Sequence, residues 1–400
     1  MTSTTDDLGA AAGTTRRPPA PAAATAPAPA ATASAGPAEP ERRVRLHGVT
    51  ADGVLTLAGS AAGALGLVWV LYERLLPVSG ALGFWLAWYV VFLGLYATCA
   101  GLQWGARAVS DRLASVALST AGLLLLVLVV DEIGYLVFRG HAALGHGNLF
   151  TDTMVLAGPL DGLDRGGLLH AVVGSLEQLG LATALTVPLG ILAALFLVEI
   201  GGPLARPVRT IVDAMSALPS IVAGLFVLAT LILGLGVGMS GFAASLAISV
   251  MMMPIVTRAA EAVIRLVPGT LREAGYALGA SQWRTVWTVV LPTARPGLAT
   301  AVVLAMARGV GETSPVLLTA GFTKSMNADP FSGQQANLPL YIWNYVRYPQ
   351  DTMVARAFAA GVTLMSVVLV LFVTARMLGG RTPGQLSHRQ RRRIARDAAR

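Results

Sequence analysis

The sequence predicts an all-α, polytopic transmembrane bundle, and three observations carry that prediction. Hydrophobic residues make up 54% of the 400 residues and charged ones only 12%, about half the charged share of a soluble domain. Apolar runs of about 20 residues, long enough to cross a ~30 Å hydrocarbon core, recur along the chain. Basic residues fall in alternate connecting segments. Eight spans are expected, at 53–71, 81–103, 113–138, 170–199, 211–235, 241–264, 296–320 and 355–378.

The first fifty residues are Ala, Pro and Thr repeats (PPAPAAATAPAPAATASAGPAEP) ending in Glu41, Arg42, Arg43 and Arg45. Such a composition cannot bury a core, so 1–50 is expected to be a disordered cytoplasmic leader. It is not a signal peptide, because the apolar run starts near residue 53 without the short charged start. Residues 51–111 form a first pair of spans. Asp131 and Glu132 interrupt the third span near its far end, within reach of water. Pro188, Pro219 and Pro254 predict kinks in the fourth, fifth and sixth spans. Glu177 and Gln178, in the first half of span four, fit either helix contacts or pore lining. Glu199 and Asp213 sit at span ends and read as interfacial. Residues 381–400 are a basic tail.

With the N-terminus inside, twenty-two of the Arg and Lys residues face the cytoplasm and six face outward, leaving Arg308 in the membrane. This predicts cytoplasmic N- and C-termini in a bacterial inner membrane. Two longer loops then lie outside. Residues 139–169 carry Asp152, Asp161 and Asp164. Residues 322–354 carry Tyr341, Trp343, Tyr345 and Tyr348, which fit either interface anchors or a docking surface for an external binding protein.

Several chemistries are excluded. Cys99 is the only cysteine, so no intrachain disulfide forms. The histidines (His47, His141, His146, His170 and His388) are scattered without ligand spacing, so no metal site is expected. No G-x-x-x-x-G-K-[ST] or H-E-x-x-H sequence occurs. The chain is therefore read as a non-catalytic subunit with no cofactor of its own. The net charge of +8 follows topology and does not indicate nucleic-acid binding.

Residues 273–292, EAGYALGASQWRTVWTVVLP, form a polar, basic segment between apolar spans. It reads as two short helices around a glycine. Pro268 suits a first helical turn, Gly279 a left-handed C-terminal position and Ser281 an N-cap. Arg272, Glu273 and Arg284 charge the surface, while Trp283, Val286 and Trp287 make one side apolar. The hairpin looks like a docking element for another protein.

Its spacing resembles the signature of binding-protein-dependent ABC permeases: E-A-A, three residues, G, nine residues, I, one residue, L-P. Glu273, Ala274 and Gly275 are followed by Gly279, Val289, Leu291 and Pro292. Gly275 and Val289 depart from the signature conservatively in size. The resemblance implies a MetI-like permease core over 112–380, with 51–111 as an extra N-terminal helix pair. It also implies that the 268–292 hairpin couples to an ATPase through Arg272, Glu273, Ala274, Gly279, Arg284, Leu291 and Pro292.

The seventh span contains ARGVGETSPVLLTAG, residues 307–321. Arg308 and Glu312 are four apart and so share a helical face. Counted from Pro296 at ~1.5 Å per residue, Arg308 is about 18 Å deep, close to the bilayer midplane. Charge there is costly and faces a cavity or a partner. Gly309 and Gly311 permit close approach or local distortion. Pro315 is expected to break the helix just beyond Glu312.

This run resembles the GET-x-P segment of the PstA family of phosphate-importer permeases. The match takes in Arg308, Gly311, Glu312, Thr313 and Pro315, followed by LLTAG, with Ser314 where that family often has Ala. LPLYIW, residues 338–343, is similar to it as well. The resemblance implies a phosphate importer in which Arg308, Glu312 and Thr313 border the substrate path. It implies a homologous PstC-like permease, a PstB-like ATPase dimer that binds the ATP, and an external PstS-like phosphate-binding protein.

The residue chemistry is consistent with that substrate. An arginine fork binds two oxygens of a tetrahedral oxyanion. A carboxylate accepts from the P–OH of protonated phosphate and repels fully ionised sulfate. The competing reading of the pair is self-neutralisation within the bundle. Competing functions are transport of sulfate, molybdate or phosphonate, a non-transporting membrane scaffold or sensor, and a channel or ion-coupled carrier, which has no need of the hairpin.

Overall fold

The computed structural model describes residues 51–75 and 80–379; the leader and the basic tail lie outside them. Among the described residues every regular element is helical. The helices are α1 (Ala51–Val70), α2 (Ala81–Trp104), α3 (Ala106–Leu144), the short α4 (Asn148–Thr151) and α5 (Leu169–Leu195). They continue with α6 (Ala205–Ala217), α7 (Ser220–Val227), α8 (Gly241–Arg265), α9 (Gly269–Ala277) and α10 (Gln282–Thr285). The last four are α11 (Leu291–Val310), α12 (Ser314–Thr319), α13 (Leu338–Tyr345) and α14 (Asp351–Gly379). Wider π turns extend α1, α5, α7 and α10, and the last of these joins α10 to α11.

Seven of the described helices are long and apolar enough to cross a membrane. The remaining expected span, the fifth at 211–235, is not one straight helix. It is divided between α6 and the extended α7, which meet at a bend of 108°. Pro219 causes more than the expected kink. A residue before proline is pushed out of the helical region, and Leu218 is extended at ψ 130°. α6 is an amphipathic helix (Arg206, Arg209 and Asp213 against Ile211, Val212 and Met215) that is tied to the end of α8. Arg209 bonds Glu261 at 2.7 Å, and Arg258 pairs with Asp213.

The seventh span also differs from expectation. Helix runs unbroken from Gln282 to Val310, stops, and restarts at Ser314. The break therefore takes in Glu312 rather than following it. In a continuous helix the Pro315 ring would clash with the carbonyl of Gly311, four residues back, and no N–H would reach it, so proline sits in the first turn of a new helix instead. Pro268 sits one residue earlier than expected, at the N-cap of α9.

The described chain forms two compact units, dividing between Ser119 and Thr120. In the first, α1 packs on α2 around Ala64, Phe92 and Tyr96. Trp88 stacks on Phe92, and its indole N–H donates to the Ala61 carbonyl at 3.1 Å. The Arg112 guanidinium lies 3.5 Å from the centre of the Trp104 ring.

In the second unit α5 and α8 form the spine. A side chain at Gly190 would meet Val256 at 2.7 Å, so these helices touch backbone to side chain. α7 closes on α12 the same way, since a Cβ at Gly224 would fall 2.6 Å from Pro315 Cα. Gly224→Val is expected to destabilise the protein by about 1–3 kcal/mol through overpacking. Thermal melting in detergent would read this as a lowered Tm, and an unchanged Tm would show that α7 and α12 yield freely.

At the end of the unit away from the hairpin, α13 packs on the start of α14. Tyr341 and Tyr345 are 0% and 1% exposed there, in a core with Met353, Ala357 and Leu149. They are core residues, neither interface anchors nor docking surface, because positions 338, 341 and 345 share one helical face. Burial raises both phenols above their ordinary pKa. Arg356 is buried beside them and donates to the carbonyls of Gly162 at 2.5 Å and Arg165 at 2.7 Å. Trp343 is the exposed aromatic of this group, with Arg347 stacked 4.6 Å from its ring.

Candidate functional site

The hairpin is built from local signals. Gly279 has φ 78°, as a left-handed helix terminus requires. Its N–H donates to the Tyr276 carbonyl at 2.9 Å, and the Ala280 N–H reaches Gly275 at 3.1 Å. These two bonds are the Schellman pair that ends α9. Ser281 then caps α10 by accepting from the Arg284 N–H at 3.4 Å. Gly275, where the signature has alanine, lies against the buried Thr285. A Cβ there would stand 3.1 Å from two side-chain atoms, so the glycine lets α9 lie close on α10.

The charged residues of the hairpin divide into two roles. Glu273, Ala274 and Arg284 are exposed, with Tyr276, Leu278, Trp283 and Trp287 around them, while Val286 is buried. Arg272 turns inward. Its Nε and Nη2 donate to Glu199 Oε1 at 3.1 and 2.8 Å, and it also bonds the carbonyls of Val267 at 2.6 Å and Ile264 at 3.0 Å. Gln282 donates to the Glu199 carbonyl at 2.6 Å. Glu199 is therefore the post to which the hairpin is tied, a role that its position at a span end did not indicate. Leu291 is half-buried and Pro292 exposed, both within the continuous helix rather than at its start. The π turn just before Pro292 widens the helix where a ring lacking an N–H must fit.

The second cluster lies at the break between α11 and α12. Arg308 Nη2 is 3.1 Å from Glu312 Oε1, so the spacing i, i+4 does bring the pair together. Glu312 is not helical. It occupies the turn Gly311–Thr313, which keeps winding because the Glu312 N–H donates to the Gly309 carbonyl at 3.2 Å. The distance is that of an ion pair, yet Glu312 Oε1 has no hydrogen bond of good geometry. The Glu312 side chain is 7% exposed and that of Arg308 55%. Thr313, next along, is half-buried and its carbonyl accepts from the Leu317 N–H at 2.9 Å.

The depth of this turn is set by Gly309. A Cβ there would meet Met252 and Ile248 of α8 at 2.6 and 3.1 Å. Met252 is about 17 Å from one end of α8 and about 20 Å from the other at 1.5 Å per residue. The break thus lies level with the middle of a spanning helix, as the count along the sequence predicted. A separate apolar groove of about 390 Å³ runs between α5, α7 and α8, lined by Phe226, Thr230 and Met253 among others. Gly224 meets Pro315 while Phe226, about 200° further round α7, faces the groove. The groove holds no charged side chain and is not an oxyanion site.

Glu177 and Gln178 both contact Gln335, in the non-helical segment before α13. Gln335 donates to Glu177 Oε2 at 2.5 Å, and Gln178 donates to Gln335 Oε1 at 3.2 Å. Asn337 Nδ2 donates to the Glu312 carbonyl at 3.3 Å. Asn337 touches the site without any motif to signal it.

Comparison with known proteins agrees with this geometry. The family described as "Binding-protein-dependent transport system inner membrane component" matches residues 186–382. The phosphate transport system permease protein PstA 1 of Mycobacterium tuberculosis is 39% identical over 273 residues, covering 68% of this chain and 89% of that protein. PstA of Mycobacterium leprae is 40% identical over 263 residues, 66% of this chain and 86% of the relative. PstA of Pasteurella multocida is 34% identical over 216 residues, 54% and 76% respectively. An inward-facing structure of the MetNI methionine ABC transporter overlaps 53% of this chain and 93% of its own at 21% identity and a TM-score of 0.41, too distant to argue from. The sequence relatives decide the matter: the chain belongs to the PstA family of phosphate transport permeases, within the binding-protein-dependent transport components of the inner membrane.

Proposed function

We propose that this chain is a transmembrane permease subunit of an ATP-driven importer of inorganic phosphate, with Arg308, Glu312 and Thr313 bordering the path. The observation that carries the reading is the broken helix at mid-span. It presents a half-exposed guanidinium beside a nearly buried carboxylate, level with the centre of α8. A charge at that depth needs a cavity or a partner, and the open side of Arg308 supplies a fork for two oxygens of an oxyanion. A homologous PstC-like permease completes the path on that side.

The hairpin end faces the cytoplasm, which agrees with the distribution of arginines, and both termini lie there. Glu273, Ala274, Gly279 and Arg284 form the surface taken by a PstB-like ATPase, which binds the ATP. Arg272, Leu291 and Pro292 hold that surface to α5, α8 and α11. A PstS-like binding protein delivers phosphate from outside. The chain itself catalyses no reaction.

The test is ATP-dependent phosphate uptake in vesicles holding the co-expressed complex. Glu273 is exposed, so Glu273→Arg is expected to leave insertion and melting unchanged while uptake falls at least about tenfold, as reversing a charge in a docking surface does. Uptake at the wild-type rate would remove the hairpin from the ATPase contact. Entry of another oxyanion in place of phosphate would keep the fold and reject the substrate.

A further inference from the structure

We infer that Asn337 is a positioning residue for Glu312, setting how the carboxylate meets Arg308 and so how the permease discriminates among oxyanions. The inference rests on the reading of Arg308 and Glu312 as the substrate site.

The residues from Gln335 to Leu340 are all buried. The first three carry side-chain or backbone polar groups through the apolar bundle ahead of α13, where each such group needs a partner inside the protein. The partners are present. The Gln335 N–H donates to the Ala320 carbonyl at 3.2 Å, and the Leu338 N–H to Ser175 Oγ at 2.7 Å. The Gln335 amide lies between Glu177 on α5 and the Asn327 carbonyl. Two glycines make room for this strap on bare helix backbone. A Cβ at Gly174 would stand 2.1 Å from the Ala336 carbonyl oxygen, and one at Gly241 2.0 Å from Gln335 Oε1. The strap has one seat, and its register cannot drift.

Asn337 uses both ends of its amide. Oδ1 accepts from the Leu340 N–H at 2.9 Å and caps α13, while Nδ2 donates to the Glu312 carbonyl at 3.3 Å. Capping alone is served equally well by serine or aspartate. The amide puts its acceptor and its donor on separate atoms, so one end faces the cap and the other the turn, a span that a single hydroxyl oxygen does not bridge. The turn Gly311–Thr313 has left the α11 ladder, so its orientation is set by contacts of this kind. A site held loosely by its supporting residues loses selectivity before it loses structure.

Asn337→Ser separates the two bonds by keeping the cap, while its shorter side chain leaves the Glu312 carbonyl out of reach. Ser175→Ala is the control, because it removes a strap bond at Leu338 without touching Glu312. Both are measured in vesicles holding the assembled transporter, as KM and Vmax for phosphate, uptake of phosphate against sulfate, and melting temperature. Asn337→Ser is expected to raise the KM for phosphate about tenfold and to reduce the preference over sulfate, with a melting temperature no lower than that of Ser175→Ala. Ser175→Ala is expected to keep wild-type KM and preference. Equal shifts in both variants, or no shift in Asn337→Ser, overturn the inference. Arg308→Lys and Glu312→Gln in the same vesicles separate the two levels. If both transport phosphate normally, the site reading itself fails. If both are impaired while Asn337→Ser is normal, only the role of Asn337 fails.

Discussion

Arg272→Ala is expected to abolish ATP-coupled phosphate uptake by releasing the hairpin, with the spans still inserted. The guanidinium ties the hairpin to two other pieces of chain: the carboxylate of Glu199 at the end of α5, and the carbonyls of Ile264 and Val267 at the end of α8. Those carbonyls belong to a helix terminus, where the last turn has no internal donors. Removing the side chain takes the donor from the Val267 carbonyl and from a carboxylate only 7% exposed, while the Ile264 carbonyl keeps the Val267 N–H. Breaking a pair of this kind costs about 3 kcal/mol, because the surviving charge stays out of water. Arg272→Lys restores charge without the fork and is expected to recover part of the stability and little of the coupling. The checks are melting temperature in detergent and limited proteolysis between residues 268 and 292. Wild-type protection in Arg272→Ala would show that the hairpin is held by its apolar contacts alone. The adjacent Glu273→Arg makes a useful contrast, since that exposed change is expected to spare the melt and lose uptake. Two neighbouring residues of one hairpin then report bracing and docking separately.

The hairpin was legible in the sequence because its determinants are local. Gly279 needs a positive φ, Ser281 needs a backbone N–H three residues on, and both requirements are written within ten residues. The pair Arg308 and Glu312 was legible for a similar reason. Its spacing survives the end of α11 because the chain keeps winding through Gly311. The brace was not legible, since Glu199 and Arg272 are 73 residues apart. A carboxylate at a span end reads as interfacial whether or not it has a partner. Burial was equally hidden. Leu118 and Leu123–Val130 of α3 are exposed within this chain, while half of the most apolar window of α8 is buried. Hydropathy reports fitness for the bilayer and does not separate a lipid-facing helix from a packed one. The tyrosines of α13 misled for that reason, because aromatics next to a span mark an interface in general and here line a core. The bend at Leu218–Pro219 was foreseen as a kink; that α6 then lies on the end of α8, with Arg209 on Glu261 and Arg258 on Asp213, joins residues 52 and 45 apart and was not legible.

Arg308→Lys is expected to lower phosphate uptake about 100-fold, which corresponds to roughly 2.7 kcal/mol at 1.36 kcal/mol per tenfold. A pair serving only to neutralise itself would conceal both partners. Here the Arg308 side chain is 55% exposed, and among the described residues Glu312 is its ion-pair partner, at a single nitrogen. Lysine satisfies that one contact and keeps the charge, so the fold is expected to survive. What lysine lacks is the planar fork that binds two oxygens at once. Glu312→Gln tests the other half. It preserves size and removes the charge, and it converts part of an acceptor-only group into a donor. Phosphate uptake should fall, because the P–OH exchanges a charged acceptor for a weaker neutral one, and sulfate uptake should become measurable, because the repulsion against a fully ionised tetrahedron is gone. A site built around a hydrogen bond to its substrate discriminates most strongly where that bond cannot form. Competition of labelled phosphate by sulfate, measured side by side in wild type and Glu312→Gln, reads the effect without requiring full turnover. Undiminished exclusion of sulfate by Glu312→Gln would move selectivity away from this carboxylate, and wild-type uptake by Arg308→Lys would leave the pair as a neutralised ion pair within the bundle.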